Sequence, residues 1–166
     1  MTWEEVVEAL KLEPHPEEGG FFRETYRSEA RFEPGRPFDG RRSVGTAIYY
    51  LLTSDTFSAM HRLPGDEIFH FYLGDPVEML LLAPDGTSEV VLLGSDLGSC
   101  RPQLVVPGGV WQGSRLTAGG SYALMGTTMS PGFEYDDYEH GSEALVEAYP
   151  DRREMILARL PERPAG

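Results

Sequence analysis

The side chains best suited to chemistry in this sequence are a histidine, a glutamate and a glutamine. His61 and Glu67 flank the turn Pro64-Gly65, and Gln112 follows Pro107-Gly108-Gly109. An imidazole titrates near neutral pH, and a neighbouring carboxylate can fix its tautomer, so the pair is suited to general base catalysis. The same three side chains offer nitrogen and oxygen donors to a divalent metal. Either chemistry requires that the three groups converge on one interior space.

Short strands are predicted to position these groups. Phe21–Arg27 alternates aromatic and charged residues, and seven further runs are bounded by Gly, Pro or Asp turns. These runs are 46–52, 56–61, 67–73, 77–82, 88–93, 103–106 and 122–129. No crossover helices separate them, so the sequence predicts an all-β, antiparallel jelly-roll barrel or sandwich. His70 has the opposite parity to Glu67 on its strand, which indicates a structural or interface role.

Helices are predicted only at the two ends of the chain. Thr2 can cap a helix over 2–11, with Glu5 at the capping-box position. The segments 142–149 and 151–160 have helical character, with Pro150 between them. We therefore expect one domain over 1–166, with a barrel over about 20–130 and a helical tail over about 142–160.

Composition excludes several classes of protein. The chain has 27 acidic and 14 basic residues and a net charge of -13, which disfavours nucleic-acid binding. Cys100 is the only cysteine, so no internal disulfide is possible and a reducing compartment is expected. No apolar run approaches the roughly twenty residues that span a bilayer, and no signal peptide is recognised. These features predict a soluble, cytoplasmic protein.

The spacing of the polar residues resembles the paired motifs of the cupins. His61, Glu67 and Gly74 fit H-x-H-x3-E-x6-G, with Leu63 at the second histidine, and Gln112 replaces the histidine of P-x-G-x-x-H. The resemblance implies a barrel with its site in the interior. It also implies a metal site formed by His61, Glu67 and Gln112, with two of the four ligand positions altered. A weakly bound divalent metal and no metal at all both remain open.

A closer resemblance is to the bacterial and fungal cupin family described as predicted sugar epimerases. It rests on EGGFFRETYRS at 18–28, TAIYYLL at 46–52, DEIFHF at 66–71 and SPGF at 130–133. This resemblance covers about the full domain and implies a jelly-roll homodimer. The strand Phe21–Arg27 would leave an unpaired edge in a single copy, which independently favours a two-fold dimer.

The run GFFRETY at 20–26 is also similar to the G-x-F-x-E stretch of dTDP-keto-sugar epimerases. That similarity implies that Phe22 and Glu24 contact the nucleotide of a sugar substrate and that His61 is the catalytic base. The tyrosine acid of those enzymes has no counterpart in Leu124-Met125-Gly126-Thr127-Thr128.

Two functions of different class therefore stand. The first is an epimerase or isomerase of a carbohydrate-like or nucleotide-sugar substrate, with His61 as base, Glu67 orienting it and Gln112 binding a substrate oxygen. The second is a non-catalytic cupin that binds a small molecule, in which His61 and Glu67 form a hydrogen-bonded buried couple. Tyr50 and Phe69 are candidate ligand contacts in either case, with core packing as the alternative.

Three remaining polar residues are not assigned to the site. His15 stands between two prolines and is predicted to be a turn residue, and His140 is predicted to be solvated in an acidic loop. Cys100 has no histidine near it in sequence and is not predicted to be a nucleophile.

Overall fold

A computed structural model describes residues 1–161, so residues 162–166 of the predicted domain lie outside the described residues. The N-terminal helix α1, Trp3–Leu10, begins with the predicted capping box of Thr2 and Glu5. It ends at Lys11, which has a φ of 54° and donates its backbone N–H to Glu8. The buried side chain of Val6 anchors this helix to the sheet beneath it.

Residues 1–161 contain thirteen strands. The first six are β1 Glu13–Pro14, β2 Phe21–Arg27, β3 Arg31–Phe32, β4 Arg42–Ser43, β5 Thr46–Thr53 and β6 Phe57–Arg62. The next four are β7 Glu67–Gly74, β8 Val77–Leu82, β9 Ser88–Leu93 and β10 Gln103–Val106. The last three are β11 Trp111–Leu116, β12 Tyr122–Met129 and β13 Glu139–His140.

The strands form two larger antiparallel sheets and one short pair. The first sheet has the order β1-β2-β5-β12-β7-β10, the second has the order β13-β6-β11-β8-β9, and β3 pairs with β4. The main core lies between the two sheets, because it combines Tyr50, Phe69 and Met125 of the first with Met79 and Leu81 of the second. The predicted all-β, antiparallel jelly roll is confirmed.

Strand β11 is absent from the strands that the sequence predicts. Its sequence, WQGSRL, contains Gly113 and Ser114, which have low strand propensity. The segment nevertheless pairs with β6 and β8, which lie far from it in sequence. Tertiary pairing therefore overrides local preference at this point. The consequence for the site is direct, because β11 places Gln112 opposite His61.

The C-terminal helices are shorter than predicted. They are α2 Ala144–Ala148 and α3 Arg153–Leu157, joined by a 3-10 turn at Pro150–Arg152. Leu145 and Ile156 from these helices pack against Leu80 and Leu82, on the outer face of the second sheet. None of the helices within residues 1–161 is long and apolar enough to cross a membrane.

Candidate functional site

His61 lies on β6 with a side chain that is almost fully buried, at 1% exposure. The strand has a register irregularity, since His61 pairs with Gln112 while Ser58 pairs with Ser114. Such a bulge re-aims side chains, and here it lets His61 and Ser58 both contribute to the same interior site.

The hydrogen bonding of His61 fixes where its proton resides. Nδ1 lies 2.7 Å from the carbonyl oxygen of Ala59, and a carbonyl can only accept, so Nδ1 carries the hydrogen. Burial lowers the pKa of His61 below its usual 6.5, although the charge of Glu67 opposes that shift. The imidazole is therefore neutral at neutral pH, with an available lone pair on Nε2.

Glu67 begins β7 and is also buried. Its Oε2 accepts a hydrogen bond of 2.8 Å from Nε2 of Gln112. Burial, and then the charge of Glu18, raise the pKa of Glu67 to about 7, while His61 acts in the opposite direction. His61 and Glu67 do not share the hydrogen bond expected of a buried couple, because each has its own partner.

A second histidine–glutamate pair, which sequence reasoning missed, lies in the turn before β2. The side chain of His15 is only 6% exposed, and its ring packs on Phe22 with 4.5 Å between ring centroids. Glu18 hydrogen-bonds to Ser58 Oγ, and burial raises the pKa of Glu18. His15 does lie in a turn, as predicted, but that turn folds over the barrel.

The two pairs meet in one cavity of about 50 Å³. Its titratable lining residues are His15, Glu18, Glu24, His61, Glu67, Tyr135 and Tyr138. The other lining residues are Phe22, Thr46, Ile48, Leu63, Thr127, Met129 and Phe133. A space of this size holds roughly three to five water molecules.

The predicted ligand contacts divide into two groups. Phe22 and Glu24 line the cavity, and Glu24 also forms an ion pair of 2.8 Å with Arg27. Tyr50 and Phe69 lie in the core between the sheets instead, and the Tyr50 hydroxyl donates to the carbonyl of Gly19 at 2.9 Å. Gln112 lies behind the cavity wall, where it holds Glu67.

The segment 133–140, which we call the strap, forms one side of the cavity. Tyr138 stacks on His61 with 4.8 Å between ring centroids and 12° between ring planes. Its hydroxyl is buried and has no hydrogen-bond partner within residues 1–161. The strap is fastened by a buried ion pair between Arg42 and Asp137 and by the exposed pair of Arg62 with Glu139, at 2.7 Å.

The donors at the site do not fit a transition-metal centre. Leu63, where the cupin motif has its second histidine, is a buried aliphatic side chain, and the Gln112 amide is occupied by Glu67. Within residues 1–161, no group of three or more His, Cys, Asp or Glu side chains is arranged to hold a metal ion. Tight sites usually use three or four strong donors, which His61 and Glu67 do not supply.

The other polar residues lie away from the cavity. His70 is on the opposite side of β7 from Glu67, with Nε2 3.0 Å from Thr128 Oγ1 and Nδ1 3.3 Å from Gln103 Nε2. His140 is exposed and lies 3.0 Å from Glu17. Cys100 is buried and free.

The two facing sheets and the interior site define a cupin. The chain matches the family described as "Cupin superfamily (DUF985)" over residues 4–141. It therefore belongs to that family of cupins.

Several known proteins are similar to the chain over most of its length. It is 32% identical over 133 residues to "Uncharacterized protein YML079W" of Saccharomyces cerevisiae. The alignment covers 73% of this chain and 66% of the yeast protein, so the chain spans slightly under two thirds of that protein. Protein SO0799 of Shewanella oneidensis is 34% identical with a TM-score of 0.87, covering 98% of this chain and 99% of its own. A hypothetical protein of Leishmania major is 32% identical with a TM-score of 0.89, covering 98% and 100%.

More distant structures share the fold alone. A dTDP sugar isomerase of Desulfovibrio desulfuricans is 16% identical with a TM-score of 0.52, covering 74% of this chain and 82% of its own. Oxalate decarboxylase of Bacillus subtilis is 10% identical with a TM-score of 0.56, covering 95% and 42%.

Proposed function

We propose that the protein is an isomerase or epimerase that moves a proton on a carbon next to a carbonyl group of a carbohydrate-like substrate. The observation that carries this proposal is the state of His61. Its Nδ1–H is committed to Ala59, so a neutral imidazole presents Nε2 as a base to the cavity. A general base with a pKa near or below the working pH is suited to that step.

Glu67 supports the base electrostatically. When His61 takes up a proton it becomes positively charged, and the negative charge of ionised Glu67 stabilises that form, since the two groups interact directly by charge. Gln112 holds the carboxyl group in place through its hydrogen bond. Glu67 therefore acts through His61, which revises the orienting hydrogen bond expected from the sequence.

The lining of the cavity favours a neutral reacting group. It contains three glutamates and no lysine or arginine among the described lining residues. A carboxylate or phosphate placed there would meet no unpaired cation, because Arg27, which lies next to the lining, is paired with Glu24. A sugar ketone or aldehyde avoids that cost, and the ring of Phe22 offers an apolar wall for it.

The size of the cavity limits how much of the substrate it encloses. About 50 Å³ accommodates a few heavy atoms, so only the reacting end of a sugar fits beneath the strap. The similarity of Phe22 and Glu24 to nucleotide contacts in keto-sugar epimerases supports a nucleotide sugar as one candidate. In that case the nucleotide contacts Phe22 and Glu24 at the edge of the cavity and extends from there to its outside.

Solvent deuterium exchange tests the proposal. The wild-type protein is incubated in D₂O with dihydroxyacetone, D-fructose and a dTDP-4-keto-sugar, and deuterium at the carbon next to the carbonyl is followed by NMR. We expect exchange with at least one of these compounds, and a loss of about 10² to 10⁴-fold in His61→Gln. Exchange no faster than the protein-free background with all three compounds, or equal rates in the variant, would contradict the proposal.

Binding without catalysis is the second candidate function. The buried, unpartnered hydroxyl of Tyr138 favours it, because such a group is satisfied when a polar ligand enters the cavity. Native mass spectrometry of the untagged protein separates the two candidates. A co-purified molecule that shows no exchange at carbon supports binding alone.

We also propose that the protein is a cytoplasmic homodimer. A single, reduced cysteine suits a reducing compartment. In β2, only Phe21 and Phe22 pair with β1, so the stretch 23–27 has no strand on its outer side within residues 1–161. A second copy of this chain would cover that edge.

A further inference from the structure

His15 has a fixed tautomer that is the opposite of that of His61. The backbone N–H groups of Glu17 and Glu18 both point at His15 Nδ1, at 3.2 Å and 2.9 Å. A backbone N–H can only donate, so Nδ1 is the acceptor and the hydrogen of the neutral ring lies on Nε2. The turn that holds His15 therefore makes its Nε2–H a donor.

The two imidazoles thus present complementary groups to one cavity. His61 offers a lone pair on Nε2, and His15 offers a hydrogen on Nε2. Burial lowers the pKa of His15 too, and the nearby His61 contributes to that shift. Both rings are therefore neutral at neutral pH, and their hydrogen bonds with the backbone set their tautomers.

The two buried carboxyl groups in the cavity are already engaged. Glu18 is bonded to Ser58, and Glu67 is bonded to Gln112. His15 Nε2 makes no hydrogen bond within the described part of the chain. The nearest carboxylate oxygen is Oε2 of Glu18, which Ser58 leaves free and which lies 3.9 Å away, beyond hydrogen-bond distance. Packing on Phe22 holds the ring in place.

We propose that His15 is a catalytic residue whose Nε2–H donates a hydrogen bond to the substrate carbonyl oxygen while His61 removes the proton from the adjacent carbon. This inference rests on the proposed function. It identifies the hydrogen-bond donor that polarises the substrate carbonyl in that reaction. A neutral imidazole held by backbone N–H groups at its other nitrogen polarises a carbonyl in this way in known proton-transfer chemistry.

The step is balanced without an oxidant or a metal. The C–H bond breaks, and its proton moves to His61 Nε2, which becomes an imidazolium. The electron pair left on carbon forms the C=C bond of an enediolate, and the carbonyl π pair moves to oxygen. His15 stabilises that developing negative charge. In an isomerisation, His61 returns the proton to the former carbonyl carbon, and the proton of the neighbouring hydroxyl passes by way of His15 Nε2 to the oxygen that carried the charge. Return of a solvent-exchanged proton to the first carbon gives labelled substrate, and an epimerisation requires that proton to reach the opposite face of the carbon from an acid other than His61.

Two substitutions separate the hydrogen on Nε2 from the role of His15 in the turn. In His15→Asn, the amide oxygen can accept the N–H of the residue two positions on, as in an Asx-turn, but no donor reaches the Nε2 position. In His15→Gln, the longer amide places an N–H near that position. His70→Gln, on the outer side of β7, is the matched control.

The test measures deuterium exchange into dihydroxyacetone and a dTDP-4-keto-sugar by the four proteins, together with the ¹⁵N NMR signals of His15 in the wild type. We expect His15→Asn to lose about 10² to 10⁴-fold in rate, His15→Gln to recover part of it, and His70→Gln to match the wild type. The NMR spectrum is expected to show hydrogen on Nε2 and none on Nδ1 at pH 7.

The possible failures are distinguishable. Active wild type with equally active His15→Asn, or hydrogen on Nδ1 of His15, overturns the role of His15 and leaves the proposed function standing. A fully folded wild type without exchange on these two probes or on D-fructose overturns the proposed function, and this role with it.

Discussion

At the scale of single residues, the site is defined by the backbone hydrogen bonds that fix the tautomers of two imidazoles. Ala59 accepts from one ring, and the N–H groups of Glu17 and Glu18 donate to the other. Burial keeps both rings neutral. The chemical difference between His61 and His15 therefore comes from local backbone geometry, since the side chains themselves are identical.

Glu67 provides a stability prediction with a defined sign. Its pKa is raised from 4.5 to about 7, so between those values the folded protein holds a proton that the unfolded chain has released. The stability associated with this group is present at low pH and is lost as pH rises through 7. Glu67→Gln removes the titration. We expect the free energy of unfolding of the variant, measured relative to that of the wild type, to rise by roughly 2 to 3 kcal/mol from pH 5 to pH 8.

Urea unfolding at the two pH values measures this difference. Glu89→Gln, which removes an exposed carboxylate, is the control. A stability difference between Glu67→Gln and wild type that stays constant from pH 5 to pH 8 would show that Glu67 is ionised throughout.

The same scale shows what sequence can and cannot provide. His61, Glu67 and Gln112 can be identified because a motif with fixed spacing carries them. His15 carries no such signal, since a histidine between two prolines is typical of a turn. Glu18 opens the run EGGFFRETYRS at 18–28, which indicates the family but gives Glu18 no role. The pairing of β2 with β1 and with β5 brings that turn to the cavity. Tyr50 and Phe69 cannot be assigned from sequence either, because aromatic residues look the same in a core and in a ligand wall.

At the scale of elements, the strap determines access to the site. Phe133, Tyr135 and Tyr138 line the cavity from the strap side. The Arg42–Asp137 ion pair fastens it, and both side chains are only 7% exposed. A substrate larger than the cavity requires the strap to move, so the strength of this attachment matters for function as well as for stability.

Asp137→Asn tests the attachment. Removing one charge of a buried pair leaves the Arg42 guanidinium without its bonded carboxylate, although Glu134 and Asp39 remain near it. Loss of one partner of a buried pair costs about 3 to 5 kcal/mol in the free energy of unfolding. Glu139→Gln is the matched control on the same strap, since its pair with Arg62 is exposed and contributes at most about 1 kcal/mol. Equal losses in chemical denaturation would mean that the strap does not depend on the buried pair.

Element boundaries follow the sequence well where the local pattern is strong. The capping box of α1 and the strands β2, β7 and β8 lie where the sequence predicts them. Strand β11 does not, because its pairing partners, β6 and β8, lie far away in sequence. Local preference is a weak guide when non-local hydrogen bonds decide the structure.

At the scale of the whole molecule, the uncovered stretch of β2 is the feature with the clearest consequence. Tyr26 on this stretch is 58% exposed, and an open strand edge with an aromatic side chain is prone to pairing. Tyr26→Lys places a charge on that edge. We expect the dissociation constant of the proposed dimer to rise at least about tenfold, which corresponds to roughly 1.4 kcal/mol.

Light scattering over a dilution series measures this change. Leu97→Lys, at a loop residue with 76% exposure, is the control and is expected to keep the dimer mass. A monomeric wild-type protein at micromolar concentration would contradict the dimer.

The proposed function depends above all on a neutral His61, with its hydrogen on Nδ1 and its lone pair on Nε2 facing the cavity. A ¹⁵N NMR titration of the His61 side chain between pH 5 and pH 8 observes this state without any substrate. We expect a protonated Nδ1 and an unprotonated Nε2 at pH 7. The second proton is expected to bind with a pKa below the usual 6.5 of histidine. An imidazolium at pH 7, or a neutral ring with hydrogen on Nε2, would contradict the role of His61 as the base.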